Sequence, residues 1–183
     1  MKQLACVLAL ASTCVLATSV ASTPAFALET DEARMEASDA ASQARADMLE
    51  AFGPEALKPG QYVWRDVPGS GPERLVVSLS DQLAYFYRGE TLVAVSTISS
   101  GQPGRDTPIG IFSVLDKHPM YRSKKYDNAP MPWMQRIDQY GVALHAGFNP
   151  GVPASHGCVR LPIAFAKKLY SVTDIGTPVY IGA

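Results

Sequence analysis

Cys158 lies in the run Ser155-His156-Gly157-Cys158-Val159-Arg160, and a second histidine, His145, stands ten residues upstream of Ser155. A thiol attacks a carbonyl only as the thiolate, and a free cysteine with a pKa of ~8.5 is a few per cent ionised near neutral pH. An imidazole within hydrogen-bond reach takes that proton. Both His145 and His156 are candidates. His156 is two residues from Cys158, so in an extended stretch the two side chains share a face. Gly157 lets the backbone approach closely or take a positive φ. The amides of Gly157 and Cys158 are then candidate donors to an oxyanion. Plainer readings compete: a buried small hydrophobe for the cysteine and a satisfied sheet-edge histidine for His145. A metal site would use His145, His156 and Cys158, with His118 as a fourth ligand. The spacing H-x10-H-x-C does not match the paired spacings of zinc sites, and no second CxxC or acidic ligand supports one. The reading is therefore no metal and no cofactor.

The N-terminus sharpens the case for the thiol. Lys2, the apolar run Leu4 to Leu16 and the Ala25-Phe26-Ala27 signal read as a cleaved export peptide over residues 1–27. The run is short of the ~20 residues of a membrane-spanning helix. Its removal takes Lys+Arg from 16 to 15 against 17 Asp+Glu, a net charge of about −2, which gives no sign of a nucleic-acid binder. Cysteine falls from 3 to 1, because Cys6 and Cys14 lie in that segment. An exported chain normally pairs its cysteines, so a lone one is inert, linking or reactive. The export reading places the protein in the periplasm, with membrane contact only through the signal.

The elements that must position Cys158 and His145 follow from periodicity. Residues 28–60 are rich in Ala, Glu, Asp, Ser and Arg and show no continuous stripe of large apolar side chains. They read as a spacer or a loosely docked helix. From Gln61 the pattern turns to strands. Tyr62–Trp64 is a short extended run, and the turn-rich Pro68–Pro72 follows it. Leu75, Val77 and Leu79 alternate, and aromatic residues fill Leu83–Arg88. Thr91–Ile98 is rich in β-branched residues, so these three strands form an antiparallel meander. Gly110–Leu115 is a further strand. Residues 116–136 carry three prolines and five basic residues and read as a long functional loop. Gly141–Leu144 is a strand leading into His145. Pro162 opens a helix with Ile163, Ala166, Leu169 and Tyr170 on one face, and Thr177–Ile181 is the closing strand.

The combined signature resembles the YkuD-type L,D-transpeptidase family in its Gram-negative form. Ser155-His156-Gly157-Cys158 with His145 upstream is its core. Thr107-Pro108-Ile109-Gly110-Ile111-Phe112 resembles the family's TPxGxF strand, and Met131-Pro132-Trp133-Met134 the MP segment of its substrate loop. The likeness runs from about Arg74 to Ile181. It implies a mainly β (α+β) fold, a sandwich of mixed sheets with one C-terminal helix, and a catalytic domain over 61–183. It implies Cys158 as nucleophile, His145 as general base, His156 as a supporting imidazole and Gly157 as a flanking residue. Arg160, Ser155, Met131, Trp133 and Tyr121 are substrate-binding candidates. The implied reaction is peptidoglycan cross-linking by acyl transfer from a tetrapeptide stem with release of D-alanine. The implied partners are stem peptides as donor and acceptor, with carbapenems as inhibitors. Water as acceptor would give an L,D-carboxypeptidase or a wall-protein hydrolase, and a non-catalytic wall-binding domain is the alternative of another class. The loop between His145 and Ser155 has nine residues, shorter than the usual family pattern. Ala146 replaces the frequent Ser or Gly, so a backbone carbonyl is expected to orient the base.

Overall fold

The computed structural model describes residues 27–54, 56–67 and 70–183. The expected export peptide, but for Ala27, and part of the Pro68–Pro72 turn lie outside them. Two sheets and two helices make up the molecule. β1 (Tyr62–Trp64), β2 (Glu73–Ser78), β3 (Leu83–Arg88), β4 (Thr91–Thr97), β5 (Gly110–Ser113) and β10 (Pro178–Gly182) form a six-stranded sheet ordered β1-β4-β3-β2-β10-β5. β6 (Asp116–Arg122), β7 (Pro130–Arg136), β8 (Ala143–Ala146) and β9 (Val159–Leu161) form a four-stranded sheet in that order. Each sheet is mixed: β10 runs parallel to β2, and β9 parallel to β8. Helix α2 (Ile163–Val172) follows β9, which completes the mixed sandwich with a C-terminal helix.

The six-stranded sheet is buried on both faces, and its alternation shows how. Leu75, Val77, Ala84 and Phe86 point toward the second sheet, where they pack with Leu144, Ala146, Val159, Leu161 and the α2 residues Phe165 and Leu169. Val76, Tyr85, Tyr87 and Val95 point the other way, onto helix α1 (Asp31–Phe52). Two-residue periodicity thus supplies both cores from one sheet. Ile163, expected on the buried face of α2, is exposed; Phe165, Ala166 and Leu169 are the buried set.

Of the two expectations for residues 28–60, a spacer or a loosely docked helix, the structure has a helix, and one that is packed on the sheet. Residues 31–52 are one continuous helix whose docking face is Ala33, Ala37, Ala41, Ala44 and Met48. Small side chains form the stripe, so a search for large apolar residues passes over it. Alanine brings the helix axis close to the sheet: a Cβ at Gly182 would fall 2.5 Å from the Ala37 carbonyl oxygen. Thr30 caps the helix by accepting from the Ala33 N–H at 3.2 Å. Tyr87 Oη donates to Asp47 at 2.7 Å across the interface. Among the described residues no helix is long and apolar enough to cross a membrane.

Residues 116–136, expected as an irregular loop, form the β6–β7 hairpin. Its prolines are tolerated by position. β6 is the edge strand, and β8 pairs with β7 only at Gln135 and Arg136, so Pro130 and Pro132 have a neighbouring strand on one side only.

Candidate active site

Two short parallel strands carry the chemistry. Leu144 is opposite Val159, His145 opposite Arg160 and Ala146 opposite Leu161. Leu144, Ala146, Val159 and Leu161 go into the core. The alternate residues Ala143, His145, Cys158 and Arg160 therefore face away from it, where they line a cleft of about 1020 Å³. The β6–β7 hairpin supplies the opposite wall with Tyr121, Tyr126, Met131 and Met134, and Phe148 and Ile163 lie exposed at the mouth.

The turn that carries Cys158 is strapped from three sides. Ser155 Oγ accepts from the Gly157 N–H at 3.0 Å and donates to the Cys158 carbonyl at 2.5 Å. Thr107 Oγ1 donates to the Gly157 carbonyl at 2.9 Å. Ser99 and Arg160 exchange backbone bonds of 3.0 and 2.9 Å, which tie β9 to the segment leaving β4. Gly157 has φ +114°, a value glycine adopts without penalty, and residues 156–158 bend rather than extend. His156 stacks on the Tyr126 ring at 4.5 Å between centroids and 17° between planes.

His145 is buried, and its Nδ1 lies 2.8 Å from the Ala146 carbonyl oxygen. A carbonyl only accepts, so Nδ1 carries the proton and Nε2 keeps its lone pair. Burial lowers the imidazole pKa most; the Ala146 carbonyl opposes that shift and the Arg160 charge adds to it. His145 is therefore a neutral base in the resting protein. Burial pushes the Cys158 thiol up, against the Ala143 N–H that faces the sulfur; Asp138 raises it further and Arg160 lowers it. Sγ sits 3.8 Å from the Gly141 carbonyl oxygen. No hydrogen bond joins thiol to imidazole, so the pair rests uncharged, each partner held by main chain. Catalytic hydrogen bonds of this kind commonly tighten only when substrate is bound.

Arg160 lines the cleft without an ion-pair partner among the described residues. Gly147 makes room for it: a Cβ there would come within 3.2 Å of the Arg160 stem and 3.4 Å of His145 Cε1. Arg136, also at the cleft, is committed to Asp116 at 2.6 Å and to the Asp138 carbonyl at 2.9 Å.

Several sequence expectations change here. Gly157 is not placed to donate to an oxyanion, because its N–H is held by Ser155. Trp133 does not line the cleft; it packs on α2 against Tyr170, ring centroids 5.5 Å apart. The cause is local. Trp133 has φ +56°, and the β6–β7 register skips it between Met134 and Pro132. This irregularity turns both Met131 and Met134, three residues apart, into the cleft. Met131, Tyr121 and Ser155 do border it. Lys117 points elsewhere: its Nζ bonds the Tyr170 carbonyl at 2.7 Å and the Thr173 carbonyl, at the C-terminus of α2. His118 stands 3.9 Å from Asp116, away from the cleft. Sequence reasoning passed over Tyr126, Tyr140, Phe148 and Ile163 as cleft residues, since they come from the β6–β7 turn, the β7–β8 turn, the loop after β8 and the start of α2, which only the fold brings together.

The model of the L,D-transpeptidase catalytic domain family YkuD matches residues 72–181. The chain belongs to the YkuD family. Probable L,D-transpeptidase YbiS of Escherichia coli K12 is 28% identical over 142 residues, covering 62% of this chain and 45% of YbiS. The chain thus spans less than half the length of that curated relative. Among solved structures, an L,D-transpeptidase from Mycobacterium smegmatis superposes with a TM-score of 0.56 at 20% identity, over 61% of this chain and 58% of that one. L,D-transpeptidase 3 of Mycobacterium tuberculosis, in complex with a faropenem-derived adduct, gives 0.56 at 22% identity, over 61% and 60%. At these identities the likeness speaks to the YkuD fold. The match begins beside β2, so α1 lies outside the matched residues.

Proposed function

We propose that the protein is a peptidoglycan L,D-transpeptidase that works through the Cys158 thiol, with His145 as its base. The observation that carries the reading is the His145–Cys158 arrangement: a neutral imidazole tied at Nδ1, facing the same cleft as the one thiol of the described residues, which leads into the adjacent parallel strand. In the first half-reaction His145 Nε2 takes the thiol proton. Sγ attacks the carbonyl joining an L-centre to the terminal D-residue of a tetrapeptide stem. The tetrahedral adduct collapses to a thioester. His145 returns the proton to the departing D-alanine amine. In the second half-reaction an amine of a neighbouring stem attacks the thioester, loses its proton to His145, and releases the thiol. Arg160 is the cation that receives a stem carboxylate, and Ser155 holds the nucleophile turn. His156, stacked on Tyr126, supports the hairpin wall of the cleft rather than exchanging protons. Tyr121 and Met131 give that wall its apolar surface.

Export by the N-terminal segment places this reaction in the periplasm. Carbapenems are expected to acylate Cys158. Incubation with a defined tetrapeptide muropeptide tests the reading. With an acceptor amine, a cross-linked mass and free D-alanine are expected from the full chain and neither from Cys158→Ala. A hydrolysed stem as sole product would replace transpeptidation by carboxypeptidase action, and full turnover by Cys158→Ala would end the proposal.

A further inference from the structure

Asp138 is a buried acid that the reaction above does not use. It is 3% exposed and lies behind the cleft wall, in the turn between β7 and β8. Its Oδ1 accepts from two main-chain donors, the Tyr140 N–H at 2.9 Å and the Val142 N–H at 2.7 Å. The Ile137 N–H closes the same turn on the Val142 carbonyl at 2.9 Å. Arg136 holds the Asp138 carbonyl at 2.9 Å and is itself anchored on Asp116. The turn therefore folds around one carboxylate oxygen. What it delivers is next to the sulfur: the Gly141 carbonyl lies 3.8 Å from Sγ. Gly141 sits between the two amides that Asp138 holds, at φ +97°.

We propose that Asp138 is a positioning residue for Cys158: its carboxylate folds the 138–142 turn so that the Gly141 carbonyl holds the thiol sulfur in place. Its charge acts on the same sulfur, opposing ionisation, while Arg160 from β9 favours it. His145 on β8 stays neutral, and the Asp116–Arg136 pair on β6 and β7 balances itself. Asp138 thus has two separable effects, one through the turn and one through charge. The inference deepens the transpeptidase reading and rests on it for the site, though not for the measurement of the thiol.

Two variants of the full chain separate these effects. Asp138→Asn keeps an oxygen for the Tyr140 and Val142 amides and removes the charge. Asp138→Ala removes both. The readouts are the rate of iodoacetamide alkylation of Cys158 from pH ~6 to ~10 and turnover of a tetrapeptide muropeptide with an acceptor amine, with melting temperature as the folding control. For Asp138→Asn, the alkylation profile is expected to move to lower pH, about threefold faster near neutrality, with turnover at saturating donor within about threefold of the parent. For Asp138→Ala, turnover at saturating donor is expected to fall by about tenfold or more, with KM little changed, because a misplaced nucleophile affects the chemical step. A turnover in Asp138→Ala equal to the parent's overturns the proposal. So does an Asp138→Asn protein that melts normally yet loses about tenfold or more in turnover, because the oxygen it keeps should hold the turn; that arm decides the matter if Asp138→Ala does not fold. Shifted alkylation profiles without any muropeptide product would leave the positioning of the thiol standing and overturn the transpeptidase reading instead.

Discussion

The two sheets use one alternation rule toward different ends. The six-stranded sheet puts apolar side chains on both faces, one against α1 and one against the second sheet, and its β2, β3 and β4 are six or seven residues long. The four-stranded sheet buries one face and leaves the other to the cleft, and its site-bearing strands β8 and β9 have only four and three residues. Long, twice-buried strands resist displacement; short strands with one open face need outside support to hold a reacting group. Here that support is the Thr107, Ser155 and Asp138 hydrogen bonds and the Ser99 strap from the larger sheet. One sheet is the foundation, and the other is a shallow platform braced against it.

Substitutions should therefore divide by sheet. Cys158→Ala removes the nucleophile and is expected to lower turnover by roughly 10⁴-fold or more, with the melting temperature retained. A matching loss of fold would break the comparison. His145→Gln is next, with a loss of about 10²- to 10⁴-fold in turnover, the range of a general base. On the foundation side, Phe86→Ala empties a site that is 0% exposed and stacked 5.4 Å from Trp64. It is expected to cost about 3–5 kcal/mol in denaturant unfolding, while activity per folded molecule stays near the parent's.

Titration probes the platform through two of its groups, His145 and Cys158. His145 has a lowered folded pKa, so its contribution is present above the unfolded value of ~6.5 and is lost as pH falls below it. Cys158 has a raised folded pKa, so its contribution is present below the unfolded value of ~8.5 and is lost as pH rises through it. Stability should be greatest between these limits, and His145→Gln should flatten the acid side of a melting-temperature profile. The smallest effect belongs to Lys117→Met, which removes a cation from the C-terminus of α2. About 0.5–1 kcal/mol is expected, with turnover unchanged, because Lys117 faces the helix and not the cleft.

The strands of the larger sheet were readable because each apolar alternation there is honoured by a packed face, as at Leu75 and Val77. Cys158 and His145 were legible as candidates from residue type, and the structure brings both to one cleft. Helix α1 was underread because its docking face is made of alanine, a residue that signals helix without signalling burial. Trp133 was misplaced because one positive φ in β7 reverses the alternation, and no residue type announces that. Gly157 was rightly seen as a turn residue, but the donor that satisfies its partner Ser155 is its own amide, a fact of side-chain rotamer.

By itself the sequence determined which atoms are available: the Cys158 thiol and a histidine thirteen residues upstream, carried by elements whose periodicity is local. That information is local because hydrophobic period and side-chain chemistry reside in neighbouring residues. The tertiary structure alone decided which of those atoms meet. Parallel pairing of β8 with β9 put His145 and Cys158 on one face, the Ala146 carbonyl chose the imidazole tautomer, and the turn around Asp138 brought the Gly141 carbonyl to the sulfur. Each is a contact between segments distant in the chain or a choice among equivalent main-chain partners, and only packing distinguishes them.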